Sequence, residues 1–74
     1  MNTIFLLYQT DHFHSEDSRQ LKFIGSTLNR CLQAARELGC EQTQLDMLST
    51  LRCTRYSQTN IEFLIDEYII NEYV

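Results

Sequence analysis

Proline is absent from these 74 residues, and glycine occurs only twice, at Gly25 and Gly39. A turn-rich scaffold or a flexible linker draws on both residue types, so neither architecture fits. A basic cluster is also missing. The six cations, Arg19, Lys22, Arg30, Arg36, Arg52 and Arg55, are scattered among ten carboxylates, for a formal net charge of −4. Binding a phosphate backbone needs concentrated positive charge, so nucleic acid is not expected as a partner. The acidity is mild and suits solubility better than a dedicated field for cationic partners.

Long apolar runs are absent as well. Nothing approaches the roughly 20 residues that span a bilayer. The apolar opening Ile4-Phe5-Leu6-Leu7 is too short for a secretory leader and lacks its basic flank. The three cysteines, Cys31, Cys40 and Cys53, are odd in number and widely spaced. Disulfide frameworks use even numbers at closer spacing, so reduced thiols in a cytoplasmic protein are expected. There is no glycine-rich phosphate loop, zinc-knuckle spacing or nucleophile elbow. No catalytic residue, metal site or cofactor is therefore assigned, and the expectation is a non-enzyme.

What is present is a globular composition, 43% hydrophobic and 22% charged, in a chain long enough for a single domain, 1–74. A domain of this size buries only about 60% of its unfolded surface, and small domains often lean on oligomerisation. Residues 3–10 read as a strand with apolar groups on both faces, Phe5 and Leu7 on one, Ile4, Leu6 and Tyr8 on the other. Such a strand belongs in the middle of its sheet. Residues 11–19 are polar and form a long loop, and residues 20–25 return as a second strand. Ser26 or Thr27 offers an N-cap. Leu28, Cys31, Leu32, Ala35 and Leu38 then define one helical face, and Gly39 supplies the left-handed residue that ends it. Thr43 offers a second cap, and Leu45, Leu48 and Leu51 predict a short helix over 43–53. Residues 54–59 read as a loop.

From Ile61 the chain reads as a closing strand. Ile61, Phe63 and Ile65 share one face, and a shift to Tyr68 and Ile70 predicts a bulge near Asp66. A helix over 61–73 competes, because Ile61, Leu64, Ile65, Tyr68 and Ile69 also fit helical spacing. The fold class is thus α+β in the order β-β-α-α-β: a β-hairpin plus a C-terminal strand forming a small antiparallel sheet, with one or two helices packed on one face. The other face of a three-stranded sheet stays uncovered, with Ile4, Leu6, Tyr8 and Leu64 candidates to lie on it. Exposed apolar area of that kind usually marks an interface, so a homo-oligomer or a protein partner is the natural completion.

The stretch Phe5-Leu6-Leu7-Tyr8-Gln9-Thr10-Asp11, followed by His14-Ser15, Ser18 and Ile24-Gly25 ahead of a Thr-capped helix, resembles a group of small uncharacterised proteins of Bacteroides-type gut bacteria, their phages and mobile elements. The ending Asn60 to Asn71, with Phe63-Leu64-Ile65-Asp66-Glu67, is similar to the closing strand of that group. The resemblance covers most of the chain. In the group an aromatic residue, often Trp, precedes the histidine, where Phe13 stands here. It implies a cytoplasmic host, phage or mobile-element setting, and no activity, substrate or catalytic residue.

The densest polar cluster is Asp11-His12-Phe13-His14-Ser15-Glu16-Asp17-Ser18, which holds both histidines and three carboxylates. Long loops on rigid strands often carry function. The candidate partner-binding residues are accordingly Tyr8, Asp11, His12, Phe13, His14 and Arg19. In an extended segment His12 and His14 point to the same side, so a divalent-metal site is the sharper alternative. A solvated polar loop is the blander one. Cys31 reads as core, Cys40 as packed on the end of the first helix, and Cys53 as partly exposed. Tyr8, Tyr56, Tyr68 and Tyr73 serve equally well as contact anchors or as cover for the open sheet face. Asp66, Glu67 and Glu72 discourage edge-to-edge pairing of the closing strand. The leading functional expectation is a non-enzymatic protein-interaction module that self-associates, in a phage-like or mobile-element context. The alternative is a small metal- or ligand-binding regulator built on the 11–18 loop.

Overall fold

A computed structural model describes residues 2–55 and 60–70. Tyr56, Glu72 and Tyr73 lie outside that range. The elements are β1 (Asn2–Asp11), β2 (Gln20–Gly25), α1 (Leu28–Glu37), α2 (Gln42–Leu51) and β3 (Ile61–Ile70), with a one-turn 3₁₀ segment at Glu16–Ser18. The expected order β-β-α-α-β holds, and β1 is the central strand of an antiparallel sheet ordered β2-β1-β3. The closing segment is a strand, not a helix. A central strand apolar on both faces leaves one edge unpaired after the hairpin, and β3 fills it over ten residue pairs, from Asp11 with Ile61 to Asn2 with Ile70. The ladder outweighs the helical spacing of the same residues.

The bulge expected near Asp66 is absent, and β3 runs in unbroken register with β1. The irregularity lies in the hairpin instead. Phe23 stands opposite Leu7 and Leu21 opposite Tyr8, so Lys22 is the extra residue. The apolar pattern of β3 changes face for a different reason. Phe63 and Ile65 meet the helices and are buried, whereas Tyr68 and Ile70 point to the other side, in the half of the strand that is largely exposed.

Both helix ends are specified locally, one better than the other. Thr27 is the N-cap of α1, its hydroxyl accepting from the Arg30 N–H at 3.2 Å. Such a cap contributes about 1 kcal/mol. At the C-terminus Gly39 has φ +106°, its N–H donates to the Arg36 carbonyl, and the Cys40 N–H donates to the Ala35 carbonyl. That pair of bonds is the Schellman arrangement, which needs a left-handed residue at Gly39. The second helix starts one residue before Thr43. Glu41 is its N-cap, in a reciprocal capping box with Gln44. It ends at Leu51, and Arg52 takes the left-handed position at φ +64°.

The core lies between the sheet and the helices: Leu7, Cys31, Ala35, Cys40, Leu45, Leu48, Phe63 and Ile65, with Phe5, Phe23, Leu28 and Leu32 packed at its margin. Full burial of Leu7 or Leu48 contributes about 1.5–3 kcal/mol each. Gly25 permits this packing. A Cβ there would lie 2.8 Å from the Phe23 ring and 3.4 Å from Cys31 Sγ, so the missing side chain lets α1 begin against the strand. Leu51 and Leu38 are exposed, contrary to the stripes expected for them. Residues three apart are rotated about 300°, so each step drifts about 60° and Leu51 has left the face that Leu45 occupies. The thiols behave as expected: Cys31 and Cys40 are buried and Cys53 is partly exposed. Burial, and then the charge of Glu62, pushes the Cys40 thiol up to about 11.

The described helices are all too short to cross a membrane. Arg52 covers the end of the core, its guanidinium 5.7 Å above the Phe5 ring and 3.6 Å from Glu67 Oε1.

Candidate functional site

The long loop is held by one carboxylate. Asp11 closes β1, and its Oδ1 accepts from the backbone N–H groups of Phe13 (3.0 Å) and Ser15 (3.2 Å). Its Oδ2 accepts from the Ser15 hydroxyl at 2.8 Å. The Asp11 N–H donates to Ser18 Oγ at 3.0 Å, and that hydroxyl donates to the Ser15 carbonyl at 2.8 Å. Aspartate reaching its own following backbone is the mechanism of an Asx turn, here extended by two serines. The bonds from Ser15, first from its hydroxyl and then from its N–H, hold the Asp11 carboxyl below the usual carboxylate range.

His14 ties this frame to the rest of the molecule. It has φ +55°, and its Nε2 lies 2.8 Å from the Thr54 carbonyl oxygen. A carbonyl only accepts, so Nε2 carries the proton. Thr54 belongs to a short segment along the outer edge of β3, where Cys53 bridges to Leu64. The Thr54 N–H donates to the Phe63 carbonyl (2.8 Å), and the Ile65 N–H donates to the Arg52 carbonyl (2.7 Å). The Thr54 hydroxyl accepts from the Phe63 N–H at 2.9 Å and donates to Glu62 Oε1 at 2.6 Å. Thr54 and Glu62 are both buried. A buried carboxylate is tolerated only with such bonding.

The six candidate residues thus take three roles. Asp11 and His14 are scaffolding, their polar atoms turned to the loop and to Thr54. His12 and Phe13 form the exposed tip, with ring centroids 3.8 Å apart and Phe13 75% exposed. Tyr8 and Arg19 belong to the sheet face away from the helices, where the guanidinium sits 5.7 Å from the Tyr8 ring centroid and 3.6 Å from Asp66 Oδ2. The extended segment that would set His12 and His14 on one side is not formed: His12 lies in a turn and His14 has a left-handed backbone. Among the described residues no group of three or more His, Cys, Asp and Glu is placed to hold a metal ion. Ser15, Ser18 and Thr54 were not singled out from the sequence. The two serines carry a legible signal, since Asp followed by Ser in a polar loop is turn chemistry. Thr54 lies 40 residues from His14 and carries none.

The open face collects apolar side chains in register. Ile4 stands beside Tyr68, Leu6 between Ile24 and Asp66, and Tyr8 between Leu21 and Leu64. Ile24, Tyr68 and Leu21 are about half exposed or more, while Leu64, expected to be exposed there, is buried. A cleft of about 290 Å³ lies between α1 and α2, lined by Leu32, Leu45, Arg36, Gln42 and Asp46 among others. Its polar atoms are spent on one another: Arg36 Nη2 donates to Gln42 Oε1 (3.1 Å), and Gln42 Nε2 donates to Asp46 Oδ1 (2.9 Å).

Comparison with protein-family models, with curated proteins and with solved structures finds no match.

Proposed function

We propose that this chain is a non-enzymatic protein-interaction module whose docking element is the loop between β1 and β2. The carrying observation is Phe13, a large apolar side chain 75% exposed on a backbone fixed by Asp11, Ser15, Ser18 and His14. An aromatic side chain held in advance loses little conformational entropy when it enters a pocket, and this is how rigid loops gain affinity. Glu16 and Asp17 are exposed beside it in the 3₁₀ turn. Their charge favours a partner whose apolar pocket has a basic rim, and it disfavours nucleic acid.

The test begins with affinity purification from the native host and continues with the captured protein in purified form. Phe13→Ala should weaken its binding by about 2 kcal/mol, the usual cost of losing an aromatic anchor. Leu38→Ala, at an exposed leucine on the C-cap of α1, should leave binding unchanged. Equal binding by wild type and Phe13→Ala would remove the loop from the interface.

A further inference from the structure

We infer that the bare half of the outer edge of β3, at residues 67–70, docks an extended, basic and apolar segment of a protein partner, which joins the three-stranded sheet as a fourth strand. This rests on the same view of the chain as an interaction module, but on a site at the opposite end of the ladder from the loop tip. The bonds to residues 52–54 fix which backbone groups face outward. The Thr54 N–H donates to the Phe63 carbonyl, and the Ile65 N–H donates to the Arg52 carbonyl. In an antiparallel ladder every second residue turns both of its backbone groups to the same edge. Glu67 and Ile69 therefore also point theirs away from β1. Among the described residues no backbone group pairs with them. A short strap thus occupies one half of this edge and leaves the other half unpaired.

The other edge of the sheet is a poorer template. The strand β2 has six residues and carries an extra one, the exposed Lys22, in its middle. A short strand, a bulge and a lysine are the devices that blunt an edge. By contrast, β3 keeps unbroken register with β1 as far as Ile70. Its side chains at this end are exposed on both faces, Tyr68 and Ile70 on one and Ile69 on the other. An incoming strand finds apolar neighbours on each side, and such cross-strand pairs stabilise a sheet.

Charge selects the occupant. Asp66 and Glu67 stand just past the point where the strap ends, in a chain of net charge −4. Glu67 is exposed, and its contact with Arg52 is long, at 3.6 Å. A second copy would bring the same carboxylates and the same net charge, and like charges on adjacent strands are unfavourable. A lysine or arginine opposite Glu67 is favourable. Register then orders the rest of the segment. The strap runs antiparallel to β3, and a strand that continues it meets Ile69, Tyr68 and Glu67 in turn. The matching segment reads aliphatic, then aromatic or β-branched, then cationic. Main-chain bonds supply its affinity and these side chains its selectivity.

Panning a library of random peptides, displayed on phage, against the full chain tests this. Enriched peptides should carry that order of residue types, and the strongest is then titrated by fluorescence anisotropy. Ile69→Pro removes an outward N–H and no bond to β1, and edge strands accept proline at such a position. It should weaken binding by about five- to tenfold, the worth of one hydrogen bond. Glu67→Lys should weaken it by about threefold, the size of a cross-strand charge pair. Far-UV circular dichroism establishes that each variant is folded. A peptide N-methylated at the residue opposite Ile69 gives the same reading with the unaltered chain, and it should bind as weakly as Ile69→Pro does. The Glu67 and Ile69 amides should exchange quickly in the free chain and slowly in the complex. Peptides that bind Ile69→Pro equally well, an enrichment of acidic peptides, or no enrichment at all would overturn the inference. Protection of those two amides that rises with chain concentration alone would also overturn it, by giving the edge to a second copy. Phe13→Ala separates the two proposals: it should leave peptide binding unchanged, and binding lost on that substitution would place the peptide on the loop.

Discussion

The two ends of the β1–β3 ladder make an instructive pair. They share the same strands, the same antiparallel pairing and similar residue types. At the Asp11–Ile61 end the loop folds over the strands, His14 bonds to Thr54, Thr54 bonds to Glu62, and Glu62 through Ile65 are 2–7% exposed. At the Asn2–Ile70 end β2 has already stopped, its Gly25 opposite Phe5, and Tyr68 through Ile70 are 42–60% exposed. Backbone pairing is therefore not what buries a side chain here. The second layer does that, and it covers one end only. A small domain with a thin core spends its helices and its loop on half of the sheet and leaves the other half exposed.

The largest test of that contrast lies within β3. Phe63→Ala should cost about 3–5 kcal/mol in urea unfolding, as expected for an aromatic removed from a packed core. Tyr68→Ala in the same strand should change stability by no more than about 0.5 kcal/mol. Similar losses for both would mean that the two ends are equally packed. Next in size is Thr54→Val, which keeps the shape of the side chain but removes the hydroxyl that serves Glu62 and the Phe63 N–H. It should cost about 1–3 kcal/mol. An unchanged midpoint would show that the closed end does not depend on that hydroxyl.

The smallest effect is local and depends on pH. The Asp11 carboxyl is depressed by its bonds from Ser15. The loop frame is therefore complete above the ordinary carboxylate pKa and is lost as pH falls through the depressed value. Amide NMR signals of Phe13 and Ser15 should hold their positions on acidification until below that ordinary value, then move together. In Asp11→Asn they should sit at shifted positions at every pH. Signals that begin to move above the ordinary carboxylate range would contradict the frame.

Much of the architecture is legible in the residues themselves. A strand apolar on both faces announces a central position, and β1 has it. Thr27 and Gly39 are strong caps and mark both ends of α1. What was not legible depends on contacts across the chain. Glu41 and Arg52 are poor signals for a cap and a left-handed residue: Glu41 serves only through its reciprocal capping box with Gln44, and Arg52 is held by β3, whose Ile65 N–H donates to its carbonyl. The face change in β3 reads as a bulge only if a sheet is assumed to be covered along its whole length. In the loop, sequence picks out the right residues and misassigns their work. Asp11 and His14 attract notice as chemistry-bearing groups, yet their atoms are consumed in holding the backbone, and it is the apolar Phe13 between them that is left free.

The central position of β1 has a consequence for how the chain is assembled. β1 is synthesised ahead of both its neighbours, and one of those neighbours begins about fifty residues downstream of its partner residue. Until β3 emerges, β1 has an open edge and an incomplete core above it. Folding therefore waits on the most distant pairing in the molecule. The same pairing sets Asn2 beside Ile70, so a short bridge can join these positions and a circular permutant can bring β3 next to β1 in sequence. Such a permutant would keep the sheet and shorten the search that completes it.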